Sequence, residues 1–206
     1  MKLFFSPTSP FSRKVRIVAA LLGLDGGIEL VRTDTGNPQD AIRMKNPLGK
    51  IPTIERDDGV CVYDSAVIVA FLDDLAGGGK VIPAEREARF AALTLEALAD
   101  GIADASILQI YEKRMRAESE FSASWVAYQH EKVERALAAL EADPPPSVAA
   151  SAQGAPRVNV GEIALASALG YLDLRFEGAW RANHPRLVAW FASFVAAVPA
   201  YDATKV

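Results

Sequence analysis

Residues 46–65 read "NPLGKIPTIERDDGVCVYDS". Two β-like runs, Thr53–Arg56 and Val60–Tyr63, flank the turn "DDG", a spacing that predicts an antiparallel hairpin. The dipeptide Ile51–Pro52 turns the chain into the first of these strands, and X–Pro bonds are the ones for which a cis peptide is cheap, at about 0.5–1 kcal/mol. Immediately after the hairpin, Asp64 or Ser65 is placed to cap a helix. That helix is predicted to carry Val67, Ile68, Phe71, Leu72 and Leu75 on its apolar face.

Outward toward the N-terminus, Lys2–Phe5 and Ile28–Val31 read as strands. The helical run Ser12–Leu22 lies between them, with Gly23 as its C-cap. A strand–helix–strand unit of this length implies parallel pairing through a right-handed crossover. Outward toward the C-terminus, "AGGGK" ends the unit and "VIPAE" carries the chain on, after which every pattern is helical. Glu85–Arg116 and Ser122–Glu141 are long Ala/Leu/Glu-rich segments. "DPPPSVAASAQGAP" (143–156) is a loop. Asn159–Phe176 begins with Asn159 and Glu162 at the N-cap and N3 positions of a capping box. His184–Val198 is the last helix, with Pro185 in its first turn. The expected organisation is a βαβ–ββα domain over residues 1–76, a linker over 77–85 and an all-helical domain over 86–206.

With 206 residues, half of them hydrophobic and 23% charged, the chain has the composition of a globular protein with a sizeable core. A net charge of −4 gives no basic footprint for nucleic acid. A single cysteine, Cys61, excludes an internal disulfide and a cysteine-based metal cage; the only histidines, His130 and His184, lie far apart in sequence. No metal site is expected. Runs such as "AVIVAFL" are too short to cross a bilayer, and "SPTSP" interrupts any signal-peptide core. The expectation is a cytoplasmic protein without a membrane partner.

The junction Ser6–Arg16, "SPTSPFSRKVR", sets a hydroxyl-rich turn between a strand and a helix. Such a loop presents unpaired backbone N–H groups and the positive end of a helix dipole. Ser9, followed by Pro10, is an N-cap residue by type. It serves either as a cap alone or also as a donor to an anion held at the helix end. Asp64-Ser65 has the same two readings, Lys50 reads equally as a solvated lysine, and "IP" alone means a turn into a strand.

Taken together, these motifs resemble the cytosolic glutathione transferases, in particular bacterial members. "SPFS" (9–12) lies where thioredoxin relatives carry Cys-x-x-Cys, "NPLGKIP" (46–52) resembles the loop before the family's cis-proline, and "DSAVIVAFL" (64–72) its acidic-Ser helix start. "EALADGIADA" and "NVGEIALASALGYLDLR" extend the resemblance through the helical part. It implies an α/β thioredoxin-like domain followed by an all-α bundle. It also implies glutathione as co-substrate with no prosthetic group, a small hydrophobic electrophile as second substrate, and a homodimer. Ser65 would meet the γ-glutamyl carboxylate, Asp64 the ammonium, Ile51 the cysteinyl backbone and Lys50 the glycine carboxylate, with Pro52, Asn159 and Glu162 structural.

The chemistry then falls to Ser9. A free thiol titrates near 8.5, and lowering that value by about two units needs roughly 2.7 kcal/mol. One hydrogen bond to a charged group supplies about 1.5–3 kcal/mol and a helix terminus about 0.3–1 more. Ser9 therefore suffices as a donor that holds the thiolate for conjugation or peroxide reduction. Thr8 takes the role if the turn is shifted by one residue. Serine cannot form a mixed disulfide, which disfavours thiol–disulfide exchange, and Cys61 reads as a small hydrophobe within a strand. Phe11, Asp104 and Tyr111 are the candidates for the second-substrate pocket, although Tyr111 also suits a core. The rival classes are a non-catalytic, glutathione- or partner-binding member of the same fold and a thiol-dependent oxidoreductase.

Overall fold

The computed structural model describes residues 1–149 and 157–206. Its first part is a four-stranded mixed sheet in the order β2-β1-β3-β4. β1 (Lys2–Phe5) runs parallel to β2 (Glu29–Arg32) and antiparallel to β3 (Thr53–Glu55), which pairs antiparallel with β4 (Cys61–Val62). α1 (Pro10–Leu21) makes the crossover, α2 (Ile42–Lys45) precedes the loop to β3, and α3 (Ser65–Leu75) follows β4. α1 starts earlier than its apolar period suggests, because Pro10 occupies its first turn behind the Ser9 cap.

α3 buries Ile68, Val69 and Leu72, whereas Val67 and Leu75 are exposed. The expected apolar face is therefore rotated. The reason is Asp73, buried at 4%, which turns inward to serve the linker. Its carboxylate accepts hydrogen bonds from the N–H groups of Gly79, Lys80 and Val81 at 2.8–2.9 Å. Gly77, Gly78 and Gly79 all have positive φ, between 68° and 98°, a run of left-handed backbone that residues with a Cβ resist.

The helical part consists of α4 (Arg86–Met115), α5 (Ala123–Ala142), α6 (Val160–Phe176), α7 (Pro185–Ala197) and the short α8 (Pro199–Ala203). α6 is buried nearly all round and packs along α4. At Gly161 a Cβ would come within 2.7 Å of Leu95 Cβ, so the two helices approach at van der Waals distance. Trp180, Trp190, Phe191 and Phe194 are buried, and Phe191 and Phe194 meet Tyr201 edge-on. Of the 143–156 segment, residues 143–149 form no regular element beyond the end of α5, and 150–156 lie outside the described residues.

α1 joins the two parts through its basic residues. The Arg13 guanidinium lies 3.8 Å from the Tyr201 ring centroid and donates to Tyr201 O at 2.8 Å. Lys14, 1% exposed, donates to Glu96 Oε1 at 2.9 Å and Asp100 Oδ2 at 2.7 Å on α4. Arg16 donates to Thr204 O. Asp100 is thus an ion-pair partner of Lys14. Glu112, near the end of α4, is buried and accepts from Ser122 N and Arg116 Nε.

Candidate functional site

Three loops leave the same end of the sheet. Phe4 pairs with Thr53 and Ile54 with Val62, so the β1–α1 turn, Ile51–Pro52 and the start of α3 lie side by side.

Ser9 is the N-cap of α1, with extended backbone, and its Oγ accepts from Ser12 N at 3.2 Å. Capping uses a lone pair and leaves the hydroxyl proton able to donate elsewhere. Thr8 Oγ1 lies 3.2 Å from Ser6 Oγ and shares a hydrogen bond with it. Thr8 and Ser9 both line a shallow cleft whose opposite wall is α6, through Ser167, Gly170, Tyr171 and Leu174.

The loop into β3 is fixed from within. Asn46, buried at 2%, donates through Nδ2 to Lys50 O at 3.0 Å and Thr53 Oγ1 at 3.2 Å. Thr53 Oγ1 itself donates to Lys50 O at 3.0 Å. The Ile51–Pro52 peptide is cis. Lys50 O is fully engaged, whereas the N–H and C=O of Ile51 bond to nothing among the described residues. They stand free two residues before β3, a backbone donor and acceptor that an extended peptide can pair with.

At the start of α3, Asp64 is the N-cap and its Oδ1 accepts from Ala66 N at 3.2 Å. The Tyr63–Asp64 peptide is also cis. Ser65, 3% exposed, is the first helical residue, and its hydroxyl has no partner among the described residues. A helix N-terminus with a spare hydroxyl suits a carboxylate.

Asp104 comes to this group from α4. Desolvation pushes its carboxyl above the usual range, Lys50 and Lys14 oppose the shift, and Asp64 adds to it. Lys50, Asp64 and Asp104 therefore share one electrostatic neighbourhood. Asp100, one helical turn earlier, is also raised by burial against the pull of Lys14. Burial raises the Cys61 thiol as well, which disfavours its thiolate.

The second-substrate candidates divide. Phe11 is half-buried and packs on the core, and neither it nor Asp104 lines the cleft at Ser9. Tyr111 is 39% exposed and lies within electrostatic reach of the Tyr171 hydroxyl, which does line it. Pro52 is buried, and Asn159 and Glu162 exchange hydrogen bonds at the start of α6. Among the described residues no cluster of His, Cys, Asp or Glu is placed to hold a metal, and no helix is long and apolar enough to cross a membrane.

Sequence reasoning missed Lys14 and Tyr171. A signal existed for Lys14, since Glu96 and Asp100 stand four apart on the facing helix. For Tyr171, the small residues Ser167 and Gly170 at helical spacing mark the side of α6 that faces the cleft.

Two family models match the chain, "Glutathione S-transferase, N-terminal domain" over residues 8–75 and "Glutathione S-transferase, C-terminal domain" over 94–193. The uncharacterized GST-like protein YibF of Escherichia coli K12 is 31% identical over 189 residues, 91% of this chain and 90% of the relative. A glutathione transferase family member from Pseudomonas fluorescens Pf-5, solved with bound glutathione, is 37% identical. It covers 99% of this chain and 98% of its own, with a TM-score of 0.87. A structure of a P. fluorescens Pf-5 family member with bound S-(propanoic acid)-glutathione is also 37% identical, covering 100% and 98%, with a TM-score of 0.83.

Proposed function

Since the chain belongs to the glutathione transferase family, we propose that it binds glutathione and uses the Ser9 hydroxyl to hold the thiolate for transfer to a small electrophile. The observation that carries this reading is the open backbone edge of Ile51, flanked on one side by the Ser9 helix start and on the other by the Ser65 helix start. The cysteinyl backbone pairs with Ile51, its sulfur facing Ser9. The γ-glutamyl carboxylate meets Ser65 N–H and Oγ, and the ammonium meets Asp64. Lys50 is available to the glycine carboxylate.

The Ser9 proton makes a charge-assisted hydrogen bond to sulfur, and the α1 N-terminus adds its dipole. The thiolate attacks the electrophile directly, and Ser9 forms no covalent bond. The P. fluorescens family member solved with bound S-(propanoic acid)-glutathione supports room for a substituent on the sulfur. A homodimer goes with the reading, supported by exposed Val67, Leu75 and Phe90 on α3 and α4. So do a cytoplasmic setting and a role in removing electrophiles.

Titration calorimetry with glutathione tests the binding half. Ser65→Ala is expected to weaken affinity about tenfold to a hundredfold, the worth of one hydrogen bond to a charged group. Equal affinity of the wild type and Ser65→Ala contradicts the placement of the γ-glutamyl carboxylate.

A further inference from the structure

Two buried cations stand side by side on α1, and only one of them is neutralised. Lys14 has the carboxylates of Glu96 and Asp100. Arg13, 8% exposed, makes no ion pair among the described residues. Its hydrogen bonds go to neutral acceptors, Thr204 Oγ1 at 3.4 Å, the Tyr201 hydroxyl at 3.2 Å and Tyr201 O at 2.8 Å. Burial raises the Tyr201 hydroxyl, which keeps it uncharged. Two carboxylates lie within electrostatic reach, Asp202 on α8 and Asp173 on α6, but Asp173 is committed to Arg181 at 2.6 Å. Burial accordingly lowers Arg13 below the usual arginine value against the pull of these groups. Arg16, three residues on, is lowered by its own burial and then by the charge of Arg13. A buried charge held by neutral groups alone costs stability, and an apolar side chain on the Tyr201 ring would fill the same place at less cost.

The charge stands close behind Ser9. Arg13 N–H closes the first turn of α1 on Ser9 O at 3.0 Å, and the Arg13 side chain lines the same cleft as Thr8, Ser9 and Gly170. Gly170 makes room for it, since a Cβ there would come within 2.6 Å of Arg13 Nη1. Three hydrogen bonds and the stack on Tyr201 fix the guanidinium in place. Its positive charge therefore adds to the positive end of the α1 dipole, and burial protects it from screening by salt.

We propose that Arg13 is a positioning residue for the thiolate: its guanidinium, held against α8 without a counter-charge, adds a positive potential at the Ser9 turn that favours the anion Ser9 binds. This rests on the glutathione-transferase reading and adds a second electrostatic source to it. Arg13 transfers no proton and touches no substrate. Tyr201 and Thr204, by holding it, bring α8 into the electrostatics of the site.

The test is the ultraviolet thiolate absorbance of bound glutathione against pH, read in matched variants. Arg13→Met is expected to raise the bound thiol by about half to one unit, roughly a threefold to tenfold fall in the ratio of thiolate to thiol. Arg13→Lys keeps the charge and stays close to the wild type. Thr204→Asp sets a carboxylate against Arg13 Nε, where Thr204→Asn offers a neutral amide of similar size. The aspartate variant is expected to titrate higher than the asparagine variant by a comparable amount. An Arg13 with a purely structural role would lower the denaturation midpoint when replaced and leave these titrations in place. Should Arg13→Met fail to fold, the Thr204 pair decides alone. A bound thiol that titrates alike in the Thr204 pair, or alike in folded Arg13→Met and the wild type, overturns this inference and leaves the role of Ser9 standing. Absence of glutathione binding in the wild type overturns both readings.

Discussion

The chemically informative residues are those whose polar groups are left with spare capacity. Among the described residues, Ser9 spends a lone pair on its cap and keeps its proton, Ser65 keeps its hydroxyl, and Ile51 keeps both backbone groups. Lys14 is the opposite case. It is 1% exposed, and among the described residues both of its acidic partners are satisfied only through it. Removing one member of such a group strands the others in a poorly solvated site, at a cost of about 3–5 kcal/mol, whereas replacing the whole group with apolar residues is close to neutral. Lys14→Met is therefore expected to lower unfolding free energy by about that amount. The triple replacement Lys14→Met, Glu96→Leu, Asp100→Leu should recover most of it, as read by urea denaturation. A Lys14→Met protein as stable as the wild type would contradict the assignment. The motif at Ser9 was legible because capping residues announce themselves locally. Lys14 was not, because its partners lie on a helix more than eighty residues away and an isolated lysine reads as solvated.

At the scale of elements, the strongest local signals coincide with the structure. β1 begins and ends where its apolar run does, and α6 carries the reciprocal capping box that Asn159 and Glu162 spell out. Glu162 is buried beside Asn159 N–H, and burial raises its carboxyl against that hydrogen bond. Asn159→Ala should cost about 1 kcal/mol, read as a lowered denaturation midpoint, and no change would show that packing alone holds the helix start. The elements that escaped sequence reading are α2 and α8, of four and five residues, too short to show a period. α3 shows how tertiary demand overrides a pattern. Its periodic apolar residues predict a face through Val67 and Leu75, but the linker requires an acceptor for three N–H groups, and Asp73 takes the inward position.

Over the whole molecule, a line of charges runs from the junction of the two parts to the candidate site. Glu96 and Asp100 hold Lys14, Asp104 feels Lys14, and Asp104 also feels Lys50 and Asp64. The raised carboxyl of Asp104 has a definite pH consequence. A carboxyl that titrates higher in the folded than in the unfolded chain binds more protons when folded, so unfolding free energy falls as pH rises through that interval. The contribution is greatest in acid and is lost as pH climbs from about 3.8, the ordinary carboxylate value, through the raised folded value. Asp104→Asn should remove that loss, so its stability relative to the wild type improves from acid to neutral pH. Denaturation midpoints followed across the interval that stay parallel for the two proteins would contradict it. The two-part architecture was readable from the change of hydrophobic period near the glycine linker. The cleft at Ser9 was not, because its second wall comes from α6, and no local pattern says which stripe of an all-round apolar helix will face another part of the chain.

The central claim is that Ser9 stabilises a glutathione thiolate, and the direct measurement is the ultraviolet thiolate absorbance of bound glutathione as a function of pH. The account predicts that the wild type lowers the bound thiol about two units below the free value of about 8.5, and that Ser9→Ala raises it again by about one to two units. Thr8→Val should leave the titration in place. A bound thiol that titrates alike in the wild type and Ser9→Ala, or one that shifts only in Thr8→Val, would contradict the role given to Ser9.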